Sequence, residues 1–170
     1  GHAIMNPFDN KKRPGGDNMK RLAALTMTLV MAVSLAACGG KAQSVTYTME
    51  QDNEGLKMTD TMTLNAKGDK VQKMEETIAL DMTGFDDDTQ TLMTEAYDSL
   101  VESYQAVDGV ECTGSAADGV YTIAITIDTT GDAVAKLAEQ GLLQVDGGTN
   151  GISLEKTGEA LEAGGYTKAE

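Results

Sequence analysis

From Cys38 to its end this 170-residue chain contains no histidine, no arginine, no tryptophan and no proline. Each absence removes chemistry. Without histidine, Ser-His-Asp and Cys-His nucleophilic sites cannot be built, and the commonest metal ligand and neutral-pH acid/base group is missing. Without arginine there is no bidentate clamp for phosphate or carboxylate. Without tryptophan a sugar site lacks its usual aromatic platform, and Phe85 is the one phenylalanine in this region. Basic charge is scarce too. From Cys38 onward 25 Asp and Glu stand against 8 Lys, a net charge of −17. Such a surface does not attract nucleic acid, whose phosphates require Lys and Arg. An enzyme is not expected, and no cofactor is implied.

What the sequence does carry first is an address. From Met19 it reads MKRLAALTMTLVMAVSLAACGG. Lys20 and Arg21 form a positive start, and Leu22 to Leu35 is an uncharged, mostly apolar run. Fourteen residues suit a signal-peptide core and are short for a bilayer span. The run ends in Leu35-Ala36-Ala37-Cys38, which resembles a bacterial lipobox. Leu35, Ala36 and Ala37 would then be the signal-peptidase recognition residues and Cys38 the lipidated residue. Residues 19–37 are the expected signal peptide. Residues 1–18 fit no targeting class, and Gly15-Gly16 can be encoded by a ribosome-binding sequence. They are expected to be an over-called reading frame or an added tag, the alternative being a real extension from Met5. The expected location is the outer, extracytoplasmic side of a cell membrane, with the membrane engaged through the lipid anchor. Residues 38–44 form a short tether, and the negative charge is expected to hold the domain off anionic headgroups.

Residues 45–170 suit one domain. Val45, Tyr47 and Met49 alternate with Thr46, Thr48 and Glu50, a half-buried strand. Leu56, Met58, Met62 and Leu64 share one parity, interrupted by Asp60, and Met74, Ile78, Leu80 and Met82 share another. With turns at 52–55 and 65–69 these predict a three-strand meander. Asp86-Asp87-Asp88 then offers N-caps to a helix whose apolar stripe is Leu92, Met93, Ala96, Tyr97, Leu100, Val101 and Tyr104. Asp108-Gly109 is its expected stop. A hairpin follows, with Val110 and Cys112 on one arm, Asp118-Gly119 at the turn and Tyr121, Ile123, Ile125 and Ile127 on the other. Thr130 is expected to cap a short helix that Gly141 ends. A Gly-rich loop leads to a last helix from Ser153 to Gly164. The fold class is α+β: a mainly antiparallel sheet with one long and two short helices on one face.

The lipobox, the strand SVTYTMEQ, the acid-capped helix and the closing ISLEKTGEALEAGGYTK together resemble the YehR-like bacterial lipoproteins. The resemblance implies a small lipid-anchored α+β domain, and it implies no catalytic residue.

Candidate sites are few. Cys112 lies on an apolar strand face and is expected to be buried and inert. Glu50-x-Asp52-x-Glu54-Gly55 imitates the start of a calcium loop, but a hairpin turn explains it. Asp86, Asp87 and Asp88 are weak candidates for a divalent cation, and helix capping accounts for them. The expected role is a non-enzymatic binding or interaction module, monomeric, with a cationic protein as a candidate partner. The alternative is a carrier of a small hydrophobic ligand or lipid between sheet and helices, with a divalent-cation-binding domain third.

Overall fold

The structure is a computed structural model and describes residues 31–32, 40–146 and 151–170. The lipobox residues Leu35, Ala36, Ala37 and Cys38, residues 1–18 and the loop at 147–150 lie outside the described residues. Met31–Ala32 pairs in parallel with Val145–Asp146, apart from the main sheet.

The meander is present. Strand β1 (Ala42–Asn53), β2 (Leu56–Lys67) and β3 (Lys70–Asp81) are each 12 residues long. Their turns are two residues each. At the first, Glu54 and Gly55 have φ of 55° and 94°. Both central residues of such a primed turn must be left-handed, and this twist matches the strands. Asp52 Oδ1 accepts from the Gly55 N–H at 3.0 Å and closes it. The second turn is tighter than expected, because β2 runs on to Lys67 past an irregularity at Asn65/Ala66.

Helix α1 (Asp87–Gln105) is capped by Asp86, whose carboxylate accepts from the Thr89 N–H at 2.8 Å. Met93, Tyr97, Val101 and Tyr104 are buried. Leu92, expected in that stripe, is 40% exposed, the exposed large hydrophobic among the described residues. It stands about 100° around the helix from Met93, beyond the edge of the apolar face. The helix also stops before Asp108-Gly109, with Ala106 as its C-cap. Gly109, at φ 87°, serves the turn into the next strand instead.

Strands β4 (Val110–Ala117) and β5 (Val120–Asp128) form the second hairpin. Helix α2 (Ala133–Glu139) starts after Asp132, not after Thr130. The Thr130 N–H and hydroxyl are both spent on Asp128 Oδ1, at 2.9 and 2.5 Å, which draws Thr130 into a local turn. Helix α3 (Leu154–Ala163) begins at Ser153 as expected, with its hydroxyl accepting from the Lys156 N–H. A final strand β6 (Thr167–Lys168) pairs with β1.

The sheet order is β4-β5-β3-β2-β1-β6, every pair antiparallel. Side chains alternate across a strand, so the register assigns each residue to a face. One face carries Tyr47, Met62, Leu64, Met74, Leu80 and Ile125, all buried. Against it, Tyr97 of α1 meets Tyr121 of β5 with ring centroids 5.2 Å apart, and the Tyr121 hydroxyl donates to Asp98 at 2.6 Å. Gly158 of α3 lies against Tyr47. The fold is thus α+β, in one domain, with a six-stranded antiparallel sheet and three helices among the described residues.

Candidate functional site

The opposite face of the sheet is the candidate site, and the strand register builds it. Thr48 pairs with Thr61, Thr61 with Thr77, Thr77 with Ala124, and Ala124 with Thr113. A parallel row runs Glu50, Thr59, Ala79, Thr122 and Ser115. A third runs Thr46, Thr63, Glu75, Thr126 and Glu111. These residues are half-buried or exposed, while most of their strand neighbours on the other face, such as Tyr47, Met62, Ile78 and Ile123, are buried. The centre of the face is therefore a field of hydroxyls and methyls without charge. Some hydroxyls already bond one another, as Thr46 and Thr63 do at 2.9 Å.

Charge gathers at two ends of this field. One open cleft of about 510 Å³ is lined by Glu50, Asp52, Lys57, Thr59 and Asp81. The other, about 620 Å³, is lined by Lys73, Glu75, Glu111, Thr126 and Asp128. Each sets one lysine among three acids. Lys73 is paired with Glu75 at 3.1 Å, and the Asn65 amide first, then Lys73, hold the Glu75 carboxyl below its usual range. The arrangement can offer hydroxyl donors and acceptors in a plane, with an anionic rim. It offers no activated nucleophile.

The buried face holds a second polar feature. Asp60 and Glu76 sit on adjacent strands at 4% and 3% exposure. Asp60 pairs with Ile78 and Met62 with Glu76, so the two acids are diagonal neighbours. The Tyr166 hydroxyl donates to Asp60 Oδ2 at 2.5 Å. Asp60 Oδ1 and Glu76 Oε2 are left without another partner. Burial pushes both carboxyls up, Glu76 further because the Asp60 charge and a hydrogen bond to it add to the burial. One proton shared between the two carboxyls satisfies both remaining oxygens. The sequence had shown Asp60 as a break in an apolar parity. Glu76 breaks the neighbouring strand's parity in the same way, and that coincidence was the available signal.

The residues singled out from sequence do not converge. Asp86 is a helix cap, and that bond with the Thr89 N–H holds its carboxyl below the usual range. Asp87 and Asp88 lie exposed in the first turn of α1. Asp52 closes a hairpin. Cys112 is buried, and burial pushes its thiol up to about 11. A disulfide reagent at pH 8 is therefore expected to leave Cys112 unmodified in the folded chain and to label it fully after denaturation. Rapid labelling of native protein would contradict the burial.

Comparison with known proteins agrees with this architecture. The family model described as "Protein of unknown function (DUF1307)" matches residues 43–167. The uncharacterized lipoprotein Lmo0207 of Listeria monocytogenes is 29% identical over 153 residues, covering 87% of this chain and 95% of the relative. The uncharacterized lipoprotein Lin0239 of Listeria innocua is 24% identical, covering 89% of this chain and 97% of its own. Among solved structures, the YehR protein of Escherichia coli aligns with a TM-score of 0.55 at 18% identity, over 75% of this chain and 92% of that one. That last likeness concerns the fold alone. The chain belongs to the DUF1307 family, a family of unknown function in which the curated relatives it matches are lipoproteins.

Proposed function

We propose that the chain is a lipid-anchored, non-enzymatic binding module on the outer side of the membrane, acylated at Cys38, and that the open threonine-rich face of its sheet receives a polar, cationic partner. The observation that carries this reading is the face itself: among the described residues, five long strands present an uncovered plane of hydroxyls between two acid-rimmed clefts. Anchoring is supported by the order of charge, apolar run and lipobox up to Cys38, and by the naming of both Listeria relatives as lipoproteins. The absence of catalysis is supported by the lack of histidine and arginine after Cys38 and by the burial of Cys112. Hydroxyls bind through many weak hydrogen bonds, and acids at the rim steer a cationic partner and set its orientation. The carrier alternative has less behind it. The buried side of the sheet is filled by Tyr97, Tyr104, Tyr121, Met62, Met74 and Met93, each below 2% exposed.

A photo-crosslinking residue placed at Thr61 or Thr122 in cells tests this. The expected result is one dominant adduct, weakened by salt, that is absent when the same residue replaces Glu102 on α1. Equal adducts from all three positions would end the proposal for this face.

A further inference from the structure

We propose that the end of the sheet where β1 begins docks directly on anionic phospholipid headgroups, through Lys41, Lys67 and Lys70 with Lys156 beside them. This rests on the anchoring of Cys38 proposed above. It concerns which end of the domain meets the bilayer and what holds it there.

The tether is shorter than sequence suggested. Strand β1 starts at Ala42, inside the segment 38–44 read as a linker. Residues before it are already fixed. Lys41 O accepts from the Gly68 N–H at 2.9 Å, and Gln43 Nε2 donates to Gly68 O at 2.6 Å. Gly40 lies so close to the β2–β3 turn that a Cβ on it would fall 2.3 Å from Gly68 Cα. Only Gly39 separates Gly40 from Cys38. Two residue steps span about 7 Å, comparable with the roughly 5–8 Å depth of one headgroup layer. An acylated Cys38 therefore brings the β2–β3 turn into the headgroups.

Charge is distributed to match. Ala42 pairs with Lys67, Lys67 with Lys70, and Lys70 bridges to Ser153 at the start of α3, three residues before Lys156. All four lysines are exposed. Asp69 and Glu155 lie among these lysines, and Glu75, Glu111 and Asp128 lie farther along the same end of the sheet, around Lys73. The Asp69 carboxylate is engaged, accepting from the Ser153 hydroxyl at 2.7 Å and from the Glu155 N–H at 2.9 Å. The opposite end of the sheet carries Asp52, Glu54, Asp81, Asp86, Asp87 and Asp118 around Lys57. Acids thus lie at both ends of the sheet, and the four lysines mark the β1–β2–β3 corner nearest the tether. Lysines near an anionic surface are attracted individually over about a Debye length, whatever the distant charge.

The test uses the acylated chain purified from membranes. Its mass is measured first, so that a missing acyl group at Cys38 is recognised as a failure of the anchoring reading and not of this one. The protein is placed in vesicles of phosphatidylcholine, alone or mixed with phosphatidylglycerol, and amide hydrogen exchange is followed. In the anionic vesicles, exchange across 66–71 slows by roughly an order of magnitude relative to the neutral ones, while the turn at 118–119 is unchanged. Raised salt, or the triple variant K41E/K67E/K70E, abolishes the difference. Equal exchange of 66–71 in both vesicle types, or protection at 118–119 instead, overturns the proposal. The triple variant changes only exposed side chains, and its exchange away from this end reports whether it remains folded.

Discussion

Replacing Gly158 with alanine destabilises the domain by about 2–3 kcal/mol, an overpacking cost, and replacing Tyr47 with phenylalanine in the same chain recovers most of that loss. Gly158 lies inside α3 and is buried. On an open helical surface alanine would be favoured over glycine by about 1 kcal/mol. Here the sign reverses, because a Cβ at Gly158 would fall 2.2 Å from the Tyr47 hydroxyl and 3.1 Å from its ring carbon Cζ. Tyr47 cannot swing away freely, since it is 5% exposed within β1 and its neighbour across the strands is Met62. Phenylalanine removes the nearest atom and leaves the 3.1 Å contact, which a small shift of the helix relieves. Urea denaturation of the wild type, the two single variants and the double variant gives the coupling. A stabilised G158A single variant, or independent additive effects, would show that α3 does not seat on Tyr47.

The second large effect concerns pH. Glu76→Gln is expected to raise the melting temperature at pH 8 by several degrees and to change it little near pH 4. The sign follows from the buried acid pair. Both carboxyls have folded-state values raised above those of the unfolded chain, Glu76 the more strongly, by burial first and by Asp60 second. A group raised in this way contributes stability that is full below its unfolded value, about 4.3 for glutamate. That contribution is lost as pH rises toward and through the folded value. The wild type is therefore expected to weaken from mild acid toward alkaline pH at this site. Glutamine is neutral throughout, and its amide can donate to Asp60 as the protonated acid does. Thermal denaturation curves at pH 4 and pH 8 for both proteins check the prediction. A wild type and variant with the same pH profile would mean that Glu76 is not the group that titrates.

These two sites mark where the sequence could and could not be read. Alternation located the long strands because it is a local property, fixed by which residues point to one side. The partner on that side is not local. Glycine at 158 reads as a weak spot in a helix until Tyr47 is placed opposite it. Asp60 and Glu76 each read as a flaw in an apolar face, and only the two-residue turn at Gly68-Asp69 sets them diagonally together. The threonines of β1 were correctly placed on the polar parity, but nothing local says that no helix of the described residues covers them. Leu92 and Thr130 failed for a related reason. Periodicity and capping preference identify candidates, and the arc of contact or a competing carboxylate decides among them. Strand β6, two residues long, carries no periodic signal at all.

The carboxyl pair has a consequence for how the core closes. Since burial beside Asp60 holds the Glu76 carboxyl well above its unfolded value, closing the core draws protons from the surroundings over the pH range between the two values. Mild acid therefore favours the final collapse of the core, while alkali, by withholding that proton, leaves the sheet easier to open.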